Sequence, residues 1–365
     1  MIKINNNPLF LKYFYLYPIL ILIFAIIFDL ILGDPEIKYH PVQIIGKNMQ
    51  WLKKKLWTGK KKRDIFSGFI LILIPFLLFG GLTYLIQILL YYFSVILQFQ
   101  LNIFTKIMYT FFYCIFNGFV LKWSFAIKYL GTVTKPIYQS LKHETIEKAK
   151  KKLSYIVRRD TSDLSKSYII SASVEVISES STDSAITIIW FYLFGNLIGS
   201  IIYFFLSTSF VWFFLGIPSA FLFRIINTGD SIVGYKDEYN INIGYASAKL
   251  DDFSNYLPTR ITAYYMLLIG KIYQLDMING WKILKRDRNN TESINAGWTM
   301  STMAGLLNVQ LEKKDHYKLG DKSRELDPED ILITYTVIRT TILIFTLSFI
   351  IWIILMSPIS IFIIK

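Results

Sequence analysis

Four short strings gather carboxylates, amides and fixed cations at spacings suited to phosphate chemistry and to holding a hard divalent cation. The first is Asp29-Leu-Ile-Leu-Gly-Asp34-Pro35, followed by His40-Pro41-Val42 and Gly46. Gly-Asp-Pro forms turns, because proline fixes φ and glycine accepts positive φ. The string directly follows an apolar run, so Asp29 and Asp34 are expected at a membrane interface, where a carboxylate must face protein or a cation. Helix-end punctuation is the plainer alternative. The second string is Arg158-Arg159-Asp160-Thr161, with Glu175, Glu179 and Asp183 behind it. These three acids stand at i, i+4 and i+8, one face of a helix. Like charges in a row need magnesium or basic groups beside them, and magnesium takes hard oxygen ligands; a solvated acidic face is the alternative. Ser180, Ser181 and Thr182 break the pattern and can instead cap a new helix.

The third string is the densest. It reads Asn227-Thr228-Gly229-Asp230-Ser231-Ile232-Val233-Gly234-Tyr235-Lys236, then Gly244 to Lys249-Leu250-Asp251-Asp252, then Asn255 to Arg260. Two glycine-flanked polar turns are expected here, with paired acids, amides and bases able to hold a metal and several phosphate oxygens together. The fourth string, Arg286-Asp287-Arg288 to Asn295, Gly297-Trp298 and Ala304-Gly305, adds cations and an amide, and reads equally well as an ordinary loop.

Other chemistries are excluded by what the chain lacks. It has no G-x-x-x-x-G-K-[ST], H-E-x-x-H or G-x-S-x-G string. Three histidines argue against a histidine-rich metal site, and one cysteine, Cys114, rules out an internal disulfide, a cysteine-rich zinc site and an iron–sulfur cluster. Cys114 lies in an apolar run and reads as a small buried residue.

The elements that must position these strings are set by the apolar runs. The chain is 53% hydrophobic, 17% aromatic and only 18% charged, with a mean hydropathy of +0.43. That charge falls below the ~25% of soluble domains. Expected spans are 13–32, 66–96, 103–120, 186–206, 210–226 and 331–356. The first lacks a small-residue cleavage site and reads as a span, not a cleaved leader. Pro75 and Gly80-Gly81 leave the second open as one kinked helix or two pieces, and the shorter run 261–272 as interfacial or packed within a polar domain. The fold class is thus an all-α polytopic membrane protein, with about five or six membrane-embedded helices and helical cytoplasmic segments. Lys and Arg outnumber Asp and Glu by 39 to 26, and they concentrate in 47–63, 122–183 and 227–330. The linkers 98–102 and 207–209 carry no charge. Alternating the spans puts all three basic segments on one side, which the positive-inside rule makes the cytoplasm. The basic excess therefore reads as inner-leaflet attraction and not as nucleic-acid binding. The expected divisions are an N-terminal membrane region with a basic cytoplasmic loop (1–121), a cytoplasmic helical segment (122–185), a membrane hairpin (186–226), a cytoplasmic motif-bearing segment (227–330) and a C-terminal membrane helix (331–365).

Taken in order, the strings resemble the CobD/CbiB family of cobalamin-biosynthesis membrane proteins. The family's D-x-x-x-G-D-P…H-P-V-x-x-I-G is matched from Asp29 to Gly46, and its R-D-T-S and V-E-x-x-x-E-N-x-x-D-G partly at Arg159–Ser162 and Val174–Ser184. N-T-x-D-S-M-V-G-Y-K and A-R-x-D-D-x-x-N-x-x-P-A-R are matched at Asn227–Lys236 and Ala248–Arg260, and N-x-x-W…M-A-G at Asn295, Trp298 and Met303–Gly305. The resemblance implies an adenosylcobinamide-phosphate synthase: an amide-forming, ATP- and magnesium-dependent ligase that joins aminopropanol phosphate, or a related amino alcohol phosphate, to the propionate carboxylate of adenosylcobyric acid. It implies Asp34, Glu175, Glu179, Asp183, Asp230, Asp251 and Asp252 as catalytic carboxylates, with Glu179, Asp183, Asp251 and Asp252 as magnesium ligands. His40, Arg159, Asn227, Lys236, Lys249, Asn255, Arg260 and Asn295 would bind substrate or phosphate. The lipid bilayer and other corrinoid-biosynthesis enzymes are the expected partners, and no tightly bound cofactor is indicated.

The chain departs from the pattern in places. Ser180 and Ser184 replace the family's Asn and Gly, Lys249 replaces an arginine and loses its bidentate fork, and a histidine near Thr291 and a proline near Ile294 are missing. A membrane scaffold that has lost catalysis, or a transporter, are the rival readings. The acids lie outside the apolar runs, which speaks against transport.

Overall fold

In the computed structural model, residues 16–35, 40–98, 102–157, 159–206, 214–235 and 237–363 are described. They are almost entirely helical. The helices are α1 (Leu16–Leu32), α2 (Pro41–Leu56), α3 (Lys61–Pro75), α4 (Gly81–Gln98), α5 (Ile103–Lys122), α6 (Ile127–His143), α7 (Ile146–Leu153), α8 (Lys166–Ser181), α9 (Thr187–Leu206), α10 (Gly216–Val233), α11 (Tyr245–Ile272), α12 (Met277–Asp287), α13 (Ala296–Leu307) and α14 (Glu329–Ile363). One antiparallel hairpin, β1 (Leu311–Lys313) with β2 (Tyr317–Leu319), pairs Leu311 with Leu319 and Lys313 with Tyr317.

Among the described residues, four helical stretches are long and apolar enough to cross a bilayer: Lys61–Phe93, Phe104–Lys122, Lys166–Ile202 and Glu329–Leu355. Leu16–Leu32 is a shorter apolar helix. This is the architecture of a polytopic membrane protein. The expected linker 98–102 and the start of the expected span at 210 fall largely on residues outside the described ones, as do residues 13–15, Arg158 and Lys236.

Two open points are resolved. The run after Phe66 is one continuous helical path, with a π-turn at Phe76–Gly80 directly after Pro75. Proline removes one ladder hydrogen bond, and a wider turn accommodates the gap. Likewise Ser180–Thr182 end no helix: α8 passes through a second π-turn, Thr182–Ile186, into α9. The Ser184 carbonyl there accepts a hydrogen bond from the Ala126 amide (2.9 Å). The path Lys166–Ile202 has 37 residues, about 55 Å at 1.5 Å per residue. That far exceeds a ~30 Å hydrocarbon core, so its acid-bearing N-terminal half extends beyond the span.

The third string is mostly helical, with Gly234 just past the end of α10 and Gly244 in the turn that precedes α11. Asn227–Val233 completes α10, and Ala248–Arg260 lies inside α11. Gly229 serves close packing: a methyl group there would stand 2.7 Å from Ser247 Oγ and 2.8 Å from Met49 Cε.

The chain forms two compact units. Of the described residues, one comprises those within 16–125, 188–247 and 346–363; the other comprises those within 126–187 and 248–345. In the first, α1 packs along α5, and α10 packs on α2 and on the π-turn after α3. In the second, α8 packs against α6, α7, α13 and β1, and α12 lies along α13.

Candidate functional site

In the first unit the site begins at a glycine. Gly33 has φ +68°, a conformation that favours glycine, and it turns the chain out of α1 so that Asp34 follows at once. Asp29, one turn earlier, is fully buried and so faces protein. His40 caps α2: its Nδ1 accepts from the Val42 amide (3.2 Å). An accepting Nδ1 leaves the ring proton on Nε2, which donates to Asp34 Oδ1 at 2.7 Å. The ring edge of His40 also rests on Trp123, with centroids 5.1 Å apart.

The second partner of Asp34 lies at the end of α5. Lys122 is only 1% exposed, and its Nζ stands 3.4 Å from Asp34 Oδ1 and 4.4 Å from the Trp123 ring. Burial alone would raise the Asp34 pKa, but the His40 hydrogen bond and the Lys122 charge outweigh it and hold the carboxyl below its ordinary value. Two residues on, the Ser124 carbonyl accepts Nε (2.9 Å) and Nη2 of buried Arg224 on α10. Arg224 Nη1 reaches Asn227 Oδ1 (3.4 Å), and Asp230 follows one residue short of a turn later on α10. Asp34, His40, Asn227 and Asp230 are thus carried by elements that meet the end of α5. Lys122 and Arg224 complete the group, and sequence reasoning missed both. Arg224 stands three residues before the Asn227 string, the one signal that could have flagged it.

In the second unit, Glu175 on α8 is buried, and its carboxylate is occupied. Oε1 accepts from Ser171 Oγ (2.6 Å), and Oε2 from Arg159 Nη2 (3.1 Å) and the Tyr317 hydroxyl (3.0 Å). Ser171 Oγ in turn accepts the Glu312 amide (2.8 Å), which ties α8 to the β-hairpin. Burial, then the charge and hydrogen bond of Glu175, push the Tyr317 pKa well up, so the phenol stays a donor. Ser171 and Tyr317 were not legible as site residues. Glu179 is exposed further along α8, and Asp183 is half-buried on the π-turn.

A second arrangement in this unit centres on α11. Buried Asn255 bridges two neighbours: its Oδ1 accepts from Thr187 Oγ1 (2.6 Å), and its Nδ2 donates to Asp251 Oδ2 (3.0 Å). Asn295 bridges two more: Nδ2 donates to the Asp252 carbonyl (2.9 Å), and Oδ1 accepts from Arg260 Nη1 (3.0 Å). The Arg260 guanidinium stacks 3.4 Å from the Tyr256 ring and 4.7 Å from Trp298, and Arg288 lies 4.8 Å from Trp298. Among the described residues, neither arginine forms an ion pair with a carboxylate. Lys249 is exposed on the same helix. By contrast, Arg286 and Asp287 serve the fold. Arg286 grips Asp287 (2.7 and 2.8 Å) and Asp321 (2.7 Å), and Asp287 Oδ2 accepts the Gly320 amide (2.7 Å).

Among the described residues, no three His, Cys, Asp or Glu side chains form a ready metal cage. Magnesium seldom uses one: it takes one or two carboxylates and completes its shell with water and substrate phosphate oxygens. The adjacent Asp251 and Asp252, and the acids Glu179 and Asp183, are donors of that hard-oxygen kind.

Comparison with known proteins adds an independent line. The family described as "CobD/Cbib protein" matches residues 22–345. A protein of Methanothermobacter thermautotrophicus described as "Probable cobalamin biosynthesis protein CobD" is 35% identical over 90% of this chain and 95% of its own length. A protein of the same description from Methanocaldococcus jannaschii is 32% identical over 91% and 98%. The "Cobalamin biosynthesis protein CobD" of Clostridium perfringens is 32% identical over 87% and 92%. No solved structure matches. With the motif residues gathered as described and the match running over most of the chain, this protein belongs to the CobD/CbiB family of cobalamin-biosynthesis proteins.

Proposed function

We propose that the chain is an adenosylcobinamide-phosphate synthase, joining adenosylcobyric acid to aminopropanol phosphate, or a related amino alcohol phosphate, at the expense of ATP. The observation that carries this reading is the α11 arrangement. Asn255 holds the Asp251 carboxylate and Asn295 the Asp252 backbone carbonyl, on the same helix as a stacked arginine, Arg260. A carboxylate is a poor acyl electrophile. Transfer of the γ-phosphoryl group of ATP to the propionate oxygen gives an acyl phosphate and ADP. The amine nitrogen then attacks the acyl carbon, the C–N bond forms, the C–O bond to phosphate breaks, and inorganic phosphate leaves. The nitrogen loses a proton in that step, and a site carboxylate is the base available to receive it.

Each group then has a task. Arg260 and Arg288, without a carboxylate partner among the described residues, hold phosphoryl oxygens, and Trp298 keeps both guanidiniums in place. Asp251 and Asp252, with Glu179 and Asp183, would hold magnesium, which when bound supplies charge neutralisation for the phosphates. Asp34, kept ionised by His40 and Lys122, orients a cationic or hydrogen-bonding part of a substrate in the first unit. The positive-inside rule, applied to the basic segments, favours the cytoplasmic side for these groups.

The test is product formation by purified protein given adenosylcobyric acid, aminopropanol phosphate, ATP and magnesium, read by mass spectrometry. ATP-dependent adenosylcobinamide phosphate is expected, and Asp251→Asn and Asp252→Asn should each abolish it while leaving membrane insertion and Tm unchanged. No product from folded protein, with ethanolamine and threonine phosphates failing as well, would sink the synthase reading and favour a scaffold.

A further inference from the structure

The end of α11 and the whole of α12 have two contrasting faces. One is packed: Ala263, Met266, Leu267 and Ile269 on α11, and Gly280, Ile283 and Leu284 on α12, are buried. The other face carries Tyr264, Leu268, Ile272, Tyr273, Ile278 and Trp281, all exposed, with Ile272 at 70% and Ile278 at 85%. The rings of Tyr264 and Trp281 lie 5.8 Å apart, so the apolar surface continues from one helix to the next. Large contiguous apolar surfaces mark contact sites, since water-exposed faces rarely carry them.

Two observations identify what covers it. The first is charge. Lys271, Lys282 and Lys285 are exposed along the same two helices, and the Lys285 ammonium lies 4.4 Å from the Trp281 ring. Asp276, the acid at the turn, is engaged as the cap of α12, accepting the Asn279 amide (2.8 Å). The second is position. The Tyr273 hydroxyl stands 3.0 Å from Thr340 Oγ1, and the Tyr265 ring 5.6 Å from that of Phe345. Both partners lie on α14 within the stretch Glu329–Leu355, which is long and apolar enough to cross the bilayer. An apolar stripe rimmed by lysines, with Trp and Tyr among its members and a spanning helix beside it, has the composition of an element lying in the membrane interface.

We propose that the α11–α12 hairpin lies in the polar–apolar boundary of the bilayer. Leu268, Ile272 and Ile278 enter the acyl region, Tyr264, Tyr273 and Trp281 sit at headgroup level, and Lys271, Lys282 and Lys285 meet anionic headgroups. This placement holds whichever reaction the protein performs.

The test uses full-length protein in vesicles containing phosphatidylglycerol. Nitroxide labels are placed by Ile278→Cys or, as a water-exposed reference, Lys314→Cys; native Cys114 is buried. Collision with oxygen should exceed collision with a water-soluble nickel chelate several-fold at position 278 and be reversed at 314. Replacing all three lysines by Gln should abolish any increase in depth between zwitterionic and anionic vesicles. A label at 278 that meets the nickel chelate as readily as one at 314 would overturn the proposal. Exclusion of both relaxers would overturn it too, pointing to protein as the cover.

Discussion

Glu175→Gln separates a carboxylate that holds the fold from one that touches substrate. The buried carboxylate, 5% exposed in its side chain, accepts from Ser171, Arg159 and Tyr317. Glutamine keeps the shape but offers one carbonyl oxygen. If that oxygen faces Arg159 and Tyr317, the amide N–H meets the Ser171 hydroxyl, which can turn to donate elsewhere. The geometry survives, but the hydrogen bonds lose their charge assistance. Such bonds contribute ~1.5–3 kcal/mol against ~0.5–1.5 for neutral ones, so about 2 kcal/mol should disappear. Because Arg159 is 19% exposed, water relieves part of its lost partner. Glu175→Ala, which leaves that guanidinium without any acceptor here, should approach the ~3–5 kcal/mol of a broken buried pair. Thermal unfolding in nanodiscs should show Glu175→Gln falling by about 4 °C, at ~2 °C per kcal/mol for a chain of this size. A cycle with Arg159→Met should give a coupling of about 1–3 kcal/mol. Turnover per folded molecule should fall only modestly. A variant with unchanged Tm and lost turnover would refute the reasoning and make Glu175 a group that acts on substrate.

Lys122→Met removes one of the groups that depress the Asp34 pKa. A carboxyl depressed in the folded state contributes stability above its unfolded pKa near 4 and loses it as pH falls through the folded value. The substitution raises the folded value, so acid unfolding should set in at higher pH; an unmoved acid midpoint would remove Lys122 from the Asp34 group. Arg260→Lys keeps the charge but loses the planar contact with Tyr256 and Trp298 and the fork toward Asn295. The loss of about 1.4 kcal/mol expected from stacking and fork geometry corresponds to a tenfold rise in KM for a phosphate-bearing substrate, with kcat less affected. Steady-state kinetics with each substrate varied would check it, and an unchanged KM for all of them would contradict the phosphate role.

Much of this was legible in the sequence because bilayers impose a coarse, strong pattern. Runs such as 66–96 and 331–356 announce helices whatever their partners, since no other open structure satisfies the backbone in lipid. The motif acids were legible by type and spacing. What escaped was set by distant contacts. Lys122 ends an apolar run and looks like a span boundary, yet it is buried between Trp123 and Asp34. Tyr317 lies 142 positions from Glu175, to which it donates, on a three-residue strand too short to show an alternating pattern. Gly229 invited a turn because local glycine chemistry favours one. The packing of Met49 and Ser247 against it decides for a helix instead.

One helix joins the chemistry to the membrane. On α11, Asp251 and Asn255 stand one turn apart, and Asn255 is buried against Thr187. Further along, Tyr264 and Leu268 also stand one turn apart, and both are exposed. At 100° per residue the two sets lie on opposite sides of the helix. A helix whose inner face holds the acids and whose outer face rests in the bilayer boundary cannot slide or roll without exposing one set or burying the other. The apolar stripe therefore restrains the depth and rotation of the acids. That restraint explains why a polar, motif-bearing segment carries six large exposed apolar side chains between Tyr264 and Trp281.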